Sequence, residues 1–172
     1  MERELMLLRH GKSSWSNPLI KDFTRPLKKR GRRDARNMGR FMDGLGWIPD
    51  YVAASPAERT RQTANLLCKE LTGFKRSIRW RPEMYDSGIA NLIRLIEACP
   101  GHAGRVLLIG HNPGLVDLVR FLCAAPIPLP PDRKLIPTAT LVRIAMPDDW
   151  RRLHSGCGEL RTVTRPKSLL SR

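Results

Sequence analysis

At 172 residues the chain is long enough for one domain with a substantial core, and two small domains are the less favoured alternative. An apolar fraction of 41% excludes a disordered polypeptide, and no apolar run approaches the ~20 residues needed to span a bilayer. The net charge of +15 predicts attraction to anions: a phosphorylated small molecule, an acidic protein face or nucleic acid.

Met1-Glu2-Arg3-Glu4 carries acids and leads directly into an apolar run, unlike a signal peptide, so a soluble cytoplasmic protein with no membrane partner is expected. Residues 4–8 then read as a buried strand, apolar on both faces in the manner of a parallel sheet. Residues 9–22 are a loop containing Gly11, Ser13, Ser14, Trp15, Ser16, Asn17 and Pro18. Pro26 and the basic residues after it open a helix of roughly 15–20 residues. Ala35, Met38, Phe41 or Met42, and Leu45 mark its inner face, and Arg32, Arg33, Arg36 and Arg40 a solvated one. Gly44, Gly46 and Pro49 stop it.

Tyr51–Ala54 is the second strand. Ser55-Pro56-Ala57-Glu58 has the form of a helix start, with a Ser cap, Pro at the first helical position and Glu three residues after the cap. That helix runs to about Thr72, with Ala64, Leu67, Cys68 and Leu71 inward. Ile78-Arg79-Trp80 is a short strand, Pro82 to Asp86 a loop, and residues 89–98 an amphipathic helix through Ile89, Leu92, Ile93 and Ile96. Residues 106–109 hold no polar side chain and form a central strand. Asn112 caps the next helix with Pro113 at its first position. Five prolines make residues 126–137 an extended loop. Residues 138–146 and 158–164 are closing strands.

Strands alternating with helices imply a three-layer α/β/α sandwich with a mainly parallel central sheet, the closing strands being free to run antiparallel. The expected organisation is a single domain over residues 1–164 and a loose basic tail over 165–172. Cys68, Cys99, Cys123 and Cys157 lie far apart with no Cys-x-x-Cys pair, which predicts reduced core side chains rather than disulfides or a zinc site.

In an open α/β sheet the ligand crevice lies beyond the carboxyl ends of the strands. Arg9, His10, Ser55, Arg59, Gly110 and His111 all follow predicted strands, so one crevice can hold them. Helix N-termini and planar arginine donors both suit a phosphate. A neutral histidine can attack phosphorus, and two arginines with a second histidine can absorb the charge on the equatorial oxygens, in a scheme that needs no metal or other cofactor. His102 and His154 lie in polar or basic loops and read as surface residues.

Three blocks carry a family resemblance: Leu8-Arg9-His10-Gly11-Lys12-Ser13, the run from Ser55 through Arg59 to Ala64, and Gly110-His111-Asn112-Pro113. Together they resemble the histidine phosphatase, or phosphoglycerate mutase-like, superfamily over roughly residues 4–145. The short length, Arg25-Pro26-Leu27 and the histidine-asparagine-proline turn look most like SixA-type phosphohistidine phosphatases. The resemblance implies a phosphoglycerate mutase-like fold and a hydrolase acting on phosphate groups. His10 would be the phosphorylated nucleophile, with Arg9, Arg59 and His111 on the phosphoryl oxygens. Ser13 would hold the loop or the phosphate. Arg61 is a rival to Arg59, which stands four residues after Ser55 as the family motif has it. The leaving-group acid falls to Glu83, with Asp86 as rival or no acid at all. The implied substrate is phosphohistidine on a protein partner, with a small phosphomonoester or nucleotide as the alternative. A compact chain without a lid insertion suits a bulky substrate. A basic module for nucleic acid or an acidic protein is the rival class; no nucleic-acid motif is present, and only 6% of residues are aromatic, few for base stacking.

Overall fold

The computed structural model describes residues 3–124 and 126–169. Residues 5 to 8, all apolar, sit inside β1 (Arg3–Arg9) and are fully buried on both faces. Leu5 and Leu7 point to one side of the sheet, Met6 and Leu8 to the other, as the period of two requires. Alternating helices and strands follow: α1 (Lys29–Gly44), β2 (Tyr51–Ala54), α2 (Glu58–Lys69), β3 (Arg79–Trp80), α3 (Ile89–Glu97), β4 (Arg105–Gly110) and α4 (Gly114–Cys123). β5 (Leu141–Met146) and β6 (Glu159–Thr164) close the sheet. Strand order is β3-β2-β4-β1-β5-β6, parallel from β3 through β1 and antiparallel at β5 and β6.

The sheet separates two cores. Leu5, Leu7, Val106 and Leu108 pack on Leu92 and Ile96 of α3 and on Leu115, Leu118 and Val119 of α4. Met6, Leu8, Val52 and Ile109 pack on Met38 and Met42 of α1 and on Ala64 and Leu67 of α2. This is the expected α/β/α sandwich, with β4 in its interior. No helix among the described residues is long and apolar enough to cross a membrane.

Several boundaries differ from expectation. α1 begins at Lys29, because Leu27 instead forms an antiparallel bridge with Ser13 and its N–H is taken by Gln62 Oε1 at 2.8 Å. Leu45 is exposed beyond the end of α1 rather than inward. α2 begins at Glu58, so Ser55 is not its cap; the Ser55 hydroxyl accepts from the Ala57 N–H at 3.3 Å. α4 begins at Gly114, and the Asn112 side chain donates to the Ile136 carbonyl at 2.9 Å instead of capping. Residues 166–169 form a 3-10 turn rather than loose chain. Pro166 is buried, Leu169 packs on the α1/α2 core, and Arg165 is salt-bridged to Asp132 at 2.9 Å. The end of the expected tail, residues 170–172, lies outside the described residues.

Two glycines seat the first loop on α1. A Cβ at Gly31 would fall 2.3 Å from the Lys12 carbonyl oxygen, and one at Gly11 2.7 Å from that of Gly31. Only backbone fits between loop and helix here, so residues 10–13 are held against a rigid element.

Candidate active site

β1, β2 and β4 are parallel and end in register, with Arg9 beside Gly110 and Ala54 beside Ile109. The ladder continues one residue further: the His10 N–H donates to the Gly110 carbonyl and the Ser55 N–H to that of Ile109, both at 3.1 Å. Three adjacent strand ends therefore deliver His10, Ser55 and His111 to one place, and the first turn of α2 adds Arg59.

His10 is buried, with 7% of its surface exposed. Its Nδ1 lies 2.8 Å from the Gly11 carbonyl oxygen, which can only accept, so Nδ1 carries the proton. Nε2 is thereby left with its lone pair, facing the Arg59 Nε–H at 3.4 Å. Burial pushes the His10 pKa down to about 3; the Gly11 bond opposes this, while His111, Arg59 and Arg9 reinforce it. The ring is neutral at neutral pH, in the tautomer of a nucleophile.

His111 stands beside it, ring centroids 5.1 Å apart. Arg59 Nη2 lies 3.3 Å from His111 Nδ1 and can only donate, so the proton sits on Nε2, which donates to the Ser55 hydroxyl at 2.8 Å. Burial and the charge of Arg59 bring His111 down to about 4, against a smaller opposing pull from Asp22. Arg9 donates to the Ile136 carbonyl at 3.1 Å, and burial together with Arg59 lowers its pKa. Thr63 ties loop to helix: its hydroxyl accepts from the Gly11 N–H at 2.9 Å and donates to the Arg59 carbonyl at 2.7 Å.

The signs of these shifts set a pH dependence. Burial disfavours imidazolium, so both histidines bind protons more weakly folded than unfolded, where the pKa is about 6.5. The associated stability is complete above the unfolded value and is lost as pH falls through about 4 and about 3. Two results are expected. Single-turnover phosphoryl uptake at about pH 5 stays within a few-fold of its value at about pH 7, whereas an unshifted histidine would be largely protonated. The thermal unfolding midpoint falls over the same acid range, and less steeply in His10→Gln.

Asp22, from the 3-10 turn Asp22–Thr24, escaped the sequence reading. Arg59 donates through Nη2 to its carboxylate at 3.0 Å and through Nη1 to its carbonyl at 2.6 Å. Tyr85 OH donates to the same carboxylate at 2.8 Å, and its ring meets Phe23 and His111 edge-on. Partial burial opposes ionisation of Asp22, but Tyr85 and Arg59 outweigh it and hold the carboxylate below its usual range. The available signal was an acid three residues before Arg25-Pro26-Leu27, but separation along the chain hid its partners.

The other expected residues divide. Ser13 is buried and bridged to Leu27, which holds the loop. Arg61 lies over the Trp80 ring at 4.7 Å, away from the histidines. Glu83 is exposed in the 3-10 turn Pro82–Met84 and acts on Arg81, not on either histidine. Asp86 lines an open cleft of about 550 Å³ beside Arg59, His111, Asp22 and Tyr85. Trp15, 63% exposed, stacks with the Arg25 guanidinium at 3.8 Å. His154 is exposed.

A family profile described as histidine phosphatase superfamily (branch 1) matches residues 5–86. An uncharacterised chloroplastic protein of Arabidopsis thaliana is 31% identical over 137 residues, covering 75% of this chain; the chain spans only 63% of that longer protein. The protein histidine phosphatase SixA complexed with tungstate superposes with a TM-score of 0.80 at 22% identity, covering 96% of this chain and 99% of that one. A Nakamurella multipartitia protein described as a phosphohistidine phosphatase SixA gives 0.79 at 25% identity, covering 96% and 97%. The profile match covers the strand carrying His10 and the helix carrying Arg59, and the structural likeness extends through His111 to the closing strands. Residues 5–86 thus match the histidine phosphatase superfamily, and the chain has a SixA-like, phosphoglycerate mutase-like α/β fold.

Proposed function

We propose that this chain is a metal-independent phosphatase working through a phosphohistidine on His10, with phosphohistidine on a protein as its substrate. The observation that carries the reading is the tautomer of His10: Nδ1–H is fixed on the Gly11 carbonyl, and Nε2 faces Arg59. The Nε2 lone pair attacks phosphorus as the bond to the substrate's imidazole breaks; that imidazole, already protonated from solvent on its other ring nitrogen, takes the electron pair and leaves neutral. Water then attacks the phosphorylated His10 and releases inorganic phosphate. Arg59 and Arg9 supply positive charge at the equatorial oxygens, with His111 as a further donor once a dianion raises its proton affinity. In this scheme these side chains fill the role a cation would take.

The leaving side favours a phosphoramidate. Among the described residues no hydrogen bond or ion pair joins Glu83 to either histidine, and Asp22 is held as carboxylate, a poor acid. An imidazole, whose conjugate acid has a pKa of about 6.5, departs without the strong acid an alkoxide needs. The proposal includes one domain over residues 1–164 and a cytoplasmic setting. Four cysteines free of disulfides fit a reducing compartment.

The test compares turnover of a phosphohistidine-bearing protein with that of a panel of nucleotides and sugar phosphates. The expected kcat/KM ratio is about a hundredfold or more in favour of the phosphohistidine protein. A panel member matching it would transfer the assignment to small phosphomonoesters, which a cleft of about 550 Å³ could admit.

A further inference from the structure

Catalysis as proposed uses two arginines, which leaves most of the +15 charge unexplained. The cations are not spread evenly. A second cleft, of about 590 Å³, opens against Arg9 and Asn112, so its inner end adjoins the histidine pair. Its walls carry Lys12 from the first loop, Arg30 from α1, Arg120 from the last turn of α4, Arg133 from the proline-rich loop and Lys167 from the terminal turn. These five are exposed, and they reach one cleft from five separate parts of the chain. The one carboxylate in the lining, Asp132, is already salt-bridged to Arg165. No ion pair among the described residues holds Lys12, Arg120, Arg133 or Lys167. Arg30 also lines an adjoining groove with Lys29, Arg32, Arg33 and Arg36, so the positive surface runs on along α1.

Cations gathered this way repel one another and weaken the fold unless an anion meets them. The apolar part of the cleft is Val116, Leu135, Ile136, Pro137 and Pro166, with no aromatic ring on which a nucleobase could stack. Flexible ammonium and guanidinium groups around an aliphatic floor match carboxylates on an extended peptide.

We propose that this cleft docks an acidic segment of the protein whose phosphohistidine enters the site. The catalytic half of this statement rests on the function proposed above; the docking half is measured without catalysis. The probe is a fluorescein-labelled peptide rich in Asp and Glu and free of phosphate. The expected result is binding that weakens steeply with salt and falls about 10- to 100-fold in the triple variant Arg120→Glu, Arg133→Glu, Lys167→Glu. Turnover of a small aryl phosphate stays within about twofold, since none of the three touches the histidines, while KM for a phosphohistidine protein rises with the loss of peptide binding. Lys167→Glu alone should show the same direction at smaller size, which covers failure of the triple variant to fold. Equal peptide affinity in wild type and both variants would overturn the docking surface, whatever the activity. An oligonucleotide of equal charge binding about tenfold tighter than the peptide would overturn it in favour of nucleic acid. Peptide docking with no turnover of any phosphohistidine protein would uphold the surface and sink the proposed activity.

Discussion

His10→Ala is expected to reduce turnover at least about a thousandfold and to abolish a phosphoenzyme that is labile in acid and stable in base. The size follows from the loss of the attacking atom itself. Arg9, Arg59 and His111 could still gather a phosphoryl group, so substrate binding should persist while the covalent step disappears. The fold should survive, because β1 is held by its ladder and by Leu5, Met6, Leu7 and Leu8, none of which depends on the imidazole. Rapid quenching of the wild type and variant with a model phosphate ester, followed by acid and alkaline treatment, checks both halves. Full turnover by the variant would remove His10 from the mechanism.

Arg59→Ala should lower kcat by roughly a hundred- to a thousandfold. One guanidinium meets His10 Nε2, His111 Nδ1, the Asp22 carboxylate and the Asp22 carbonyl at distances of 2.6–3.4 Å. It is therefore a brace between the two rings, and in the proposed mechanism also a charge for the transferring phosphoryl. Arg59→Lys should recover only part of the loss, since an ammonium on one stem cannot present the planar fork that reaches all four. Arg61→Ala is the matched control; its partner is Trp80, and kcat should stay near wild type. Steady-state kcat and KM for the three variants decide the matter, and an equal loss at Arg61 would show that α2, not Arg59, is what matters.

The field around the histidines has a further consequence. Desolvation and two arginines keep both rings neutral, so in the proposed mechanism the features that prepare His10 for attack also discourage a second proton that would block it. A bound dianion reverses the local balance at His111. Asp22 offsets part of the arginine charge from the solvent side and, anchored by Tyr85, fixes where Arg59 points.

Local information determined much of this protein. Apolar runs with no polar break made β1 and β4 legible as parallel strands buried on both faces. The helical spacing of Ala35, Met38 and Met42 oriented α1 with its arginines outward. Because parallel strands put their ends on one side of the sheet, residues just past three strands had to share a crevice, and His10, Arg59 and His111 followed. What only the tertiary structure decided depends on contacts between distant segments. Asp22 and Tyr85 are 63 residues apart and join at a single carboxylate. Ser55, with the outward form of a helix cap, serves His111 across 56 residues, because the helix starts two residues later than its motif suggests. Glu83, close to Tyr85 along the chain, is exposed in the Pro82–Met84 turn and makes no hydrogen bond or ion pair to either histidine among the described residues. The tautomers of both histidines follow from which partners can only donate and which can only accept, and no spacing rule encodes that.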